Sequence, residues 1–219
     1  MPNHVTQQLS IVGAEALTLI EHIAGAESAF DFNKVIPMPE ELNIEESSDG
    51  NMGLAAITGR CDAYLSYQWA KEEAIRTPAE FAAYVERERP LAIELAQKYF
   101  SNQQKFGHAT WYGWCNDNWG TKWNAYSVST PELLSDRATI RFNTAWSPAI
   151  PVIVKLSDLF PLLELTLRYF DDGWNFAGEA FFEAGLHTDE VFAPAENDLR
   201  TRSIYREVYG VELSLETDM

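Results

Sequence analysis

Period-two alternation of apolar and polar residues occurs near both ends of this chain and is missing from residues 61–100, and that division limits the folds open to it. "HVTQQLSIV" (4–12) alternates and is rich in β-branched residues, the pattern of a half-buried strand. "GAEALTLIEHIAG" then places Leu17, Ile20, Ile23 and Ala24 at helical spacing, with Gly25 expected as a left-handed stop. "FDFNKVIPMPEEL" (30–42) alternates briefly before Pro37 and Pro39 end any sheet pairing, and "NIEESSDGNMG" reads as a polar surface loop.

Residues 61–100 are dominated by Ala, Glu, Arg, Leu and Tyr and read as helices. Thr77, Pro78 and Glu80 form a cap, a first-turn proline and a capping-box partner. Pro90 either kinks the second helix or divides it from a third, and the helical block continues through "HATWYGWCNDNW" to a turn at Gly120. Strand character returns at 122–129 and 138–146, with "TPELLSD" as their connection, followed by a short proline-bounded helix, "PVIVKLSDLFP". Runs at 163–170 and 174–185 flank "DDG", where glycine is expected to supply the positive φ of a tight hairpin turn. Residues 199–210 supply a last helix, with Ile204 and Val208 on one face and Gly210 as its stop. The order β-α-β, helical insert, β-β-α-β-β, helix predicts an α+β fold. Its form is a single ferredoxin-like domain over 1–219, an antiparallel sheet with helices on one face and a helical insertion at about 60–120.

The net charge of −17 is unevenly spread. Residues 1–60 carry nine acids against two bases and residues 151–219 fourteen against five, whereas residues 101–150 carry three against four. Such acidity opposes binding to long nucleic acids and anionic membranes, and favours either simple solubility or a partner with a basic surface. No apolar run approaches the roughly 20 residues of a membrane span. The opening "MPNHVTQQLSIVG" has no signal-peptide pattern, so Cys61 and Cys115 are expected as reduced thiols in a cytosol.

Together, "MPNHV", "FDFNKVIPMPEEL", "WYGWCNDNWGTKWNAY" and "FNTAWSPAIPVIVKLSDLFP" resemble the YubB-type ferredoxin-like proteins of bacteriophages, plasmids and enterobacterial prophages. The likeness covers most of the chain and is least diagnostic at 46–105. It implies a ferredoxin-like core, a mobile-element origin and a bacterial cytoplasm, and it carries over no catalytic residues.

The densest chemistry lies in "WYGWCNDNWGTKWNAY" (111–126), with four of the seven tryptophans. On a helix, Trp111, Cys115 and Asn118 or Trp119 share a face and Trp114 widens it. Rings so close are expected mostly to pack, with asparagines as acceptors for indole N–H groups. As a site, Trp111, Trp114, Asn118, Trp119, Lys122, Trp123 and Asn124 would form an aromatic groove able to stack a base or small nucleotide. Cys115 reads as a buried, inert thiol, because His108 lies two turns away. His4, His22, His108 and His187 have no second ligand at metal-binding spacing, so neither a metal nor a cofactor is expected. Adjacent acids read as solvated surface, no phosphate loop occurs, and Ser147 has no nucleophile elbow around it. The aromatic hairpin in "RYFDDGWNFAGEAFFEAG" needs cover, either from the chain's own helices or from a second protomer. These features lead to a non-enzymatic binding protein of a phage or mobile element that modulates a host protein, in a counter-defence or regulatory role. Small-nucleotide or nucleic-acid binding through 111–126 is the alternative, and an enzyme of unrecognised type the lesser one.

Overall fold

The computed structural model describes residues 3–194 and 198–213. Its contacts divide the chain into two compact units, Met1–Pro37 with Cys115–Met219, and Met38–Trp114. The second unit thus begins earlier than the 60–120 suggested by composition. No described helix is long and apolar enough to cross a membrane.

The first unit contains β1 (His4–Val12), α1 (Ala16–Ile23), β2 (Glu132–Leu133), β3 (Arg137–Ala145), α8 (Ile150–Leu159), β4 (Glu164–Asp171), β5 (Ala177–Glu183), β6 (Leu186–Phe192) and α9 (Leu199–Tyr209). The strands form one antiparallel sheet in the order β2-β3-β1-β4-β5-β6. β1-α1-β2-β3-α8-β4 is the split βαββαβ arrangement of a ferredoxin-like fold, and β5 and β6 extend it beyond β4. Because neighbouring residues of a strand point to opposite faces, Leu9, Ile140 and Leu167 share one face, as do Ile11, Leu165 and Phe182. Helices α1 and α8 cover that apolar face, and its leucines and isoleucines are fully or almost fully buried. The last helix takes the other face, where Ile204 and Val208 pack on Phe170 and Ala177, with Tyr205, Tyr209 and Phe192 around them. The chain thereby covers part of its own aromatic hairpin.

Several local expectations change. Strand β2 lies inside "TPELLSD", whereas residues 122–129 make only one isolated bridge, Tyr126 to Asn143. Residues 30–42 form two 3₁₀ turns rather than a strand, the first capped by the Asp31 side chain. Helix α1 ends on an extended Ala24 instead of a left-handed Gly25. In the "DDG" turn it is Trp174 that has a positive φ, of 59°. A Cβ on Gly173 would stand 2.5 Å from Asn3 Nδ2, so the glycine answers a demand for space instead. The buried Asp171 carboxylate holds this turn by accepting from the Asn175 N–H and amide at 3.1 and 2.6 Å. Strand β6 was not foreseen. It follows a two-residue turn, Ala184-Gly185, with φ of 47° and 79°, and its mostly exposed residues give no apolar alternation.

The second unit contains α2 (Ser48–Thr58), α3 (Asp62–Ser66), α4 (Gln68–Glu72), α5 (Pro78–Glu88) and α6 (Pro90–Phe106); α7 (Trp111–Trp119) crosses the boundary between units. Thr77 and Glu80 form the expected capping box, and Pro90 begins a separate helix. The "NIEESSDGNMG" segment corrects the loop reading, because α2 starts within it, capped by Ser47. Its helical propensity is poor, but Gly50 and Gly53 let α6 approach closely. A Cβ at Gly53 would lie 2.1 Å from the Ala92 carbonyl oxygen, and one at Gly50 would lie 2.4 Å from the Tyr99 ring. Packing overrides propensity here. Phe81, Val85, Ile75 and Cys61 form the core below. Gly53→Ala should therefore lower stability by about 1–3 kcal/mol, the usual cost of overpacking, as measured by urea unfolding.

Candidate functional site

The aromatic segment does not form one groove. Trp114 and Trp119 are 7% and 3% exposed, whereas Trp123 is 37% exposed and Trp111 and Asn118 are half-buried. The Trp119 indole packs edge-on against Phe32 at 5.7 Å, and its N–H donates to the Ile36 carbonyl at 2.9 Å. The acceptor is therefore backbone, not one of the nearby asparagines. Asn124 is also occupied. Its side-chain oxygen accepts from the Phe32 and Ala125 N–H groups, both at 2.8 Å, and its amide donates to Asp31 at 2.6 Å. This residue anchors the 3₁₀ turn whose Phe32 ring lies against Trp119 and Phe142.

A buried polar relay fixes where the segment ends. Gly120 turns the chain with φ of 74°, and a Cβ there would lie 2.6 Å from Pro151 Cδ. Its carbonyl accepts from the Ser147 hydroxyl, and Thr121 exchanges hydrogen bonds with the Ala145 backbone. Gln7, fully buried in β1, donates to Thr144 and accepts from the Ala149 N–H. Ser147 is thus part of the brace that carries β3 into α8. Lys122 emerges beyond this brace, its ammonium 4.7 Å from the Trp123 ring centre and 4.8 Å from that of Trp146. Trp146 is 45% exposed and has a φ of 71°. Sequence reasoning missed its role because it lies 23 residues beyond Trp123 and meets Lys122 only through the fold.

The second candidate is the sheet face opposite α1 and α8. Helix α9 reaches across it from β6, where Arg200 pairs with Glu190 and lies over Phe192 at 4.4 Å, to β3, where Arg141 donates to the Glu207 carbonyl. Beneath it, Arg168 and Glu179 form an ion pair across β4 and β5. Beyond α9 two rows of the same face remain open. One row runs Ser10, Thr166, Phe181, Thr188; the next runs Val12, Glu164, Glu183, Leu186. Phe181 is 50% exposed and Leu186 77%. The register that sets Leu165 opposite Phe182 also sets Glu164 opposite Glu183, and neither glutamate has an ion-pair partner among the described residues. Like charges directly opposite on neighbouring strands disfavour the sheet, so this pair is matched to a cation from outside the chain. A cleft of about 340 Å³ opens there, lined by Glu164, Thr166, Phe181, Glu183, Leu186 and Thr188 together with neighbouring residues. Only the sheet register, which no local pattern reveals, assembles it.

Burial pushes the Cys115 thiol up to about 12 and also raises that of Cys61. Among the described residues, no group of His, Cys, Asp and Glu is placed to hold a metal. Both cysteines should resist iodoacetamide in the native protein at pH 8 and react on denaturation. For Cys115 the thiolate fraction alone predicts alkylation about a thousandfold slower than for an exposed thiol. Asn124→Ala leaves two N–H groups without their acceptor and should cost about 1–3 kcal/mol in chemical denaturation. Lys122→Met should cost less than about 1 kcal/mol, the value of an exposed cation–π contact.

Comparison with known proteins gives few matches. No curated protein matches the chain. The crystal structure of the protein api92 from Yersinia pseudotuberculosis aligns with 91% of this chain and 100% of its own, at 11% sequence identity and a TM-score of 0.47. Residues 118–212, which carry β2 through α9, match the family model described as the ferredoxin-like domain in Api92-like protein.

Proposed function

We propose that this chain is a non-enzymatic binding protein of a phage or other mobile element, and that it modulates a host protein by engaging a basic surface. The observation that carries the reading is the open half of the sheet. There Glu164 and Glu183 face each other without a cationic partner, beside the half-exposed ring of Phe181. Carboxylates supply charge complementarity, and an exposed aromatic face adds affinity for lysine or arginine. The surplus of acids in 151–219 extends the attraction beyond the cleft and favours a fast, salt-sensitive encounter. A bacterial cytoplasm and a counter-defence or regulatory role follow from the mobile-element resemblance and form part of this proposal.

Binding of a small nucleotide is the second reading, and Lys122 between two partly exposed indoles favours it. The residues available for it are Lys122, Trp123 and Trp146, since Trp114 and Trp119 are interior and Asn124 is committed to the Phe32 turn. Gentle purification from a bacterial host followed by native mass spectrometry separates the two readings. A co-purifying basic host polypeptide that is lost in Glu164→Lys/Glu183→Lys, and whose association slows at least about tenfold at high salt, supports the first reading. Capture undiminished in that variant overturns it. A stoichiometric small ligand lost in Lys122→Met supports the second.

A further inference from the structure

The open half-face runs to an open edge. Strand β6 closes the sheet order on one side, and six of its seven residues are exposed. The opposite edge, β2, is only two residues long. An edge strand presents alternate N–H and C=O groups outward, and seven residues give a template of about 23 Å. No proline interrupts it, and Thr188 and Val191 favour extended backbone. Its base is anchored, because the Gly185 N–H donates to the buried Ser157 hydroxyl of α8 at 3.0 Å.

Resting on the reading above, we propose that β6 accepts an extended segment of the partner as a seventh strand. Lysine or arginine at alternate positions of that segment reaches inward across β6 to Phe181 and Glu183. A strand added outside β6 lies about 9.6 Å from β5, twice the strand spacing, a gap that an extended basic side chain and a glutamate span together. Its side chains on this face meet Leu186 and Thr188 first, then the cleft. Charge selects this occupant over a second copy of the chain, since antiparallel pairing of two β6 strands would set Asp189 and Glu190 against their own counterparts. Edge acids also deter unwanted pairing, but Glu190 is held by Arg200 and Asp189 lies near His187. The unmatched charge sits on the face beside the edge, where protecting the edge does not require it.

The test uses the full chain and a capped eight-residue peptide of alternating lysine and valine. Control peptides are the same sequence N-methylated at alternate residues, and alternating glutamate and valine. The lysine peptide should bind and slow hydrogen exchange of β6 amides at least about tenfold. N-methylation of the peptide, or Glu183→Lys in the protein, should weaken binding by about tenfold or more. Equal binding of the N-methylated peptide, or binding without protection of residues 186–192, overturns strand addition and leaves the cationic reading standing. Lysine and glutamate peptides that bind alike, with wild type and Glu164→Lys/Glu183→Lys indistinguishable, overturn both. A chain that dimerises through protected β6 amides assigns the edge to a second copy and overturns the proposal.

Discussion

Strand β1 is hydrogen-bonded along both edges, to β3 on one side and β4 on the other, and every other part of the first unit is placed by that fact. Both partners lie more than 120 residues further along the chain, so this sheet forms only after a large loop closes. The constraint fixes the two ends of the intervening segment and leaves its interior free. A helical unit of 77 residues, Met38–Trp114, occupies that freedom without breaking the sheet. Its own stability comes from two glycines that bring α2 against α6, and from Tyr99, whose buried hydroxyl donates to the Glu45 carbonyl and accepts from the Ser47 N–H.

Where the chain returns to the sheet, polar groups do as much as apolar ones. Gln7 sits fully buried among leucines and phenylalanines, and it is tolerated because both ends of its amide are satisfied, by Thr144 and Ala149. Thr121 and Ser147 complete the brace from the other side. The aromatic segment is divided by this arrangement, with Trp119 turned inward against Phe32 and Trp123 left beside Lys122 at the surface. Dense tryptophan therefore served packing first, and only its far end meets solvent.

The polar face of the sheet shows the opposite economy. Helix α9 buries two aliphatic side chains and several rings over one half, and it gathers Arg141 and Arg200 as it crosses. The uncovered half keeps an aromatic ring and two facing glutamates. A charge that a neighbouring arginine neutralises under α9, as Arg168 does for Glu179, stays unmatched two rows away. That contrast within one strand pair gives the open half its chemical preference for cations.

Sequence alone determined the elements whose signals are local. Thr77 and Glu80 set a helix start by reciprocal hydrogen bonds, Gly210 ends α9 in the left-handed region, and alternation marks β1, β3 and β4 because each buries one face. Acidity and its uneven distribution were equally plain. Tertiary structure decided the rest, for reasons visible in particular residues. α2 exists because α6 packs onto glycines that propensity counts against it, and β6 exists because a two-residue turn returns an exposed strand to β5. Trp146 meets Lys122, and Glu164 meets Glu183, through strand register, which joins residues that no spacing in the chain relates. Burial and cross-strand pairing are properties of the closed sheet, so the inward turn of Trp119 and the open acidic edge appear only once β1 has found both of its partners.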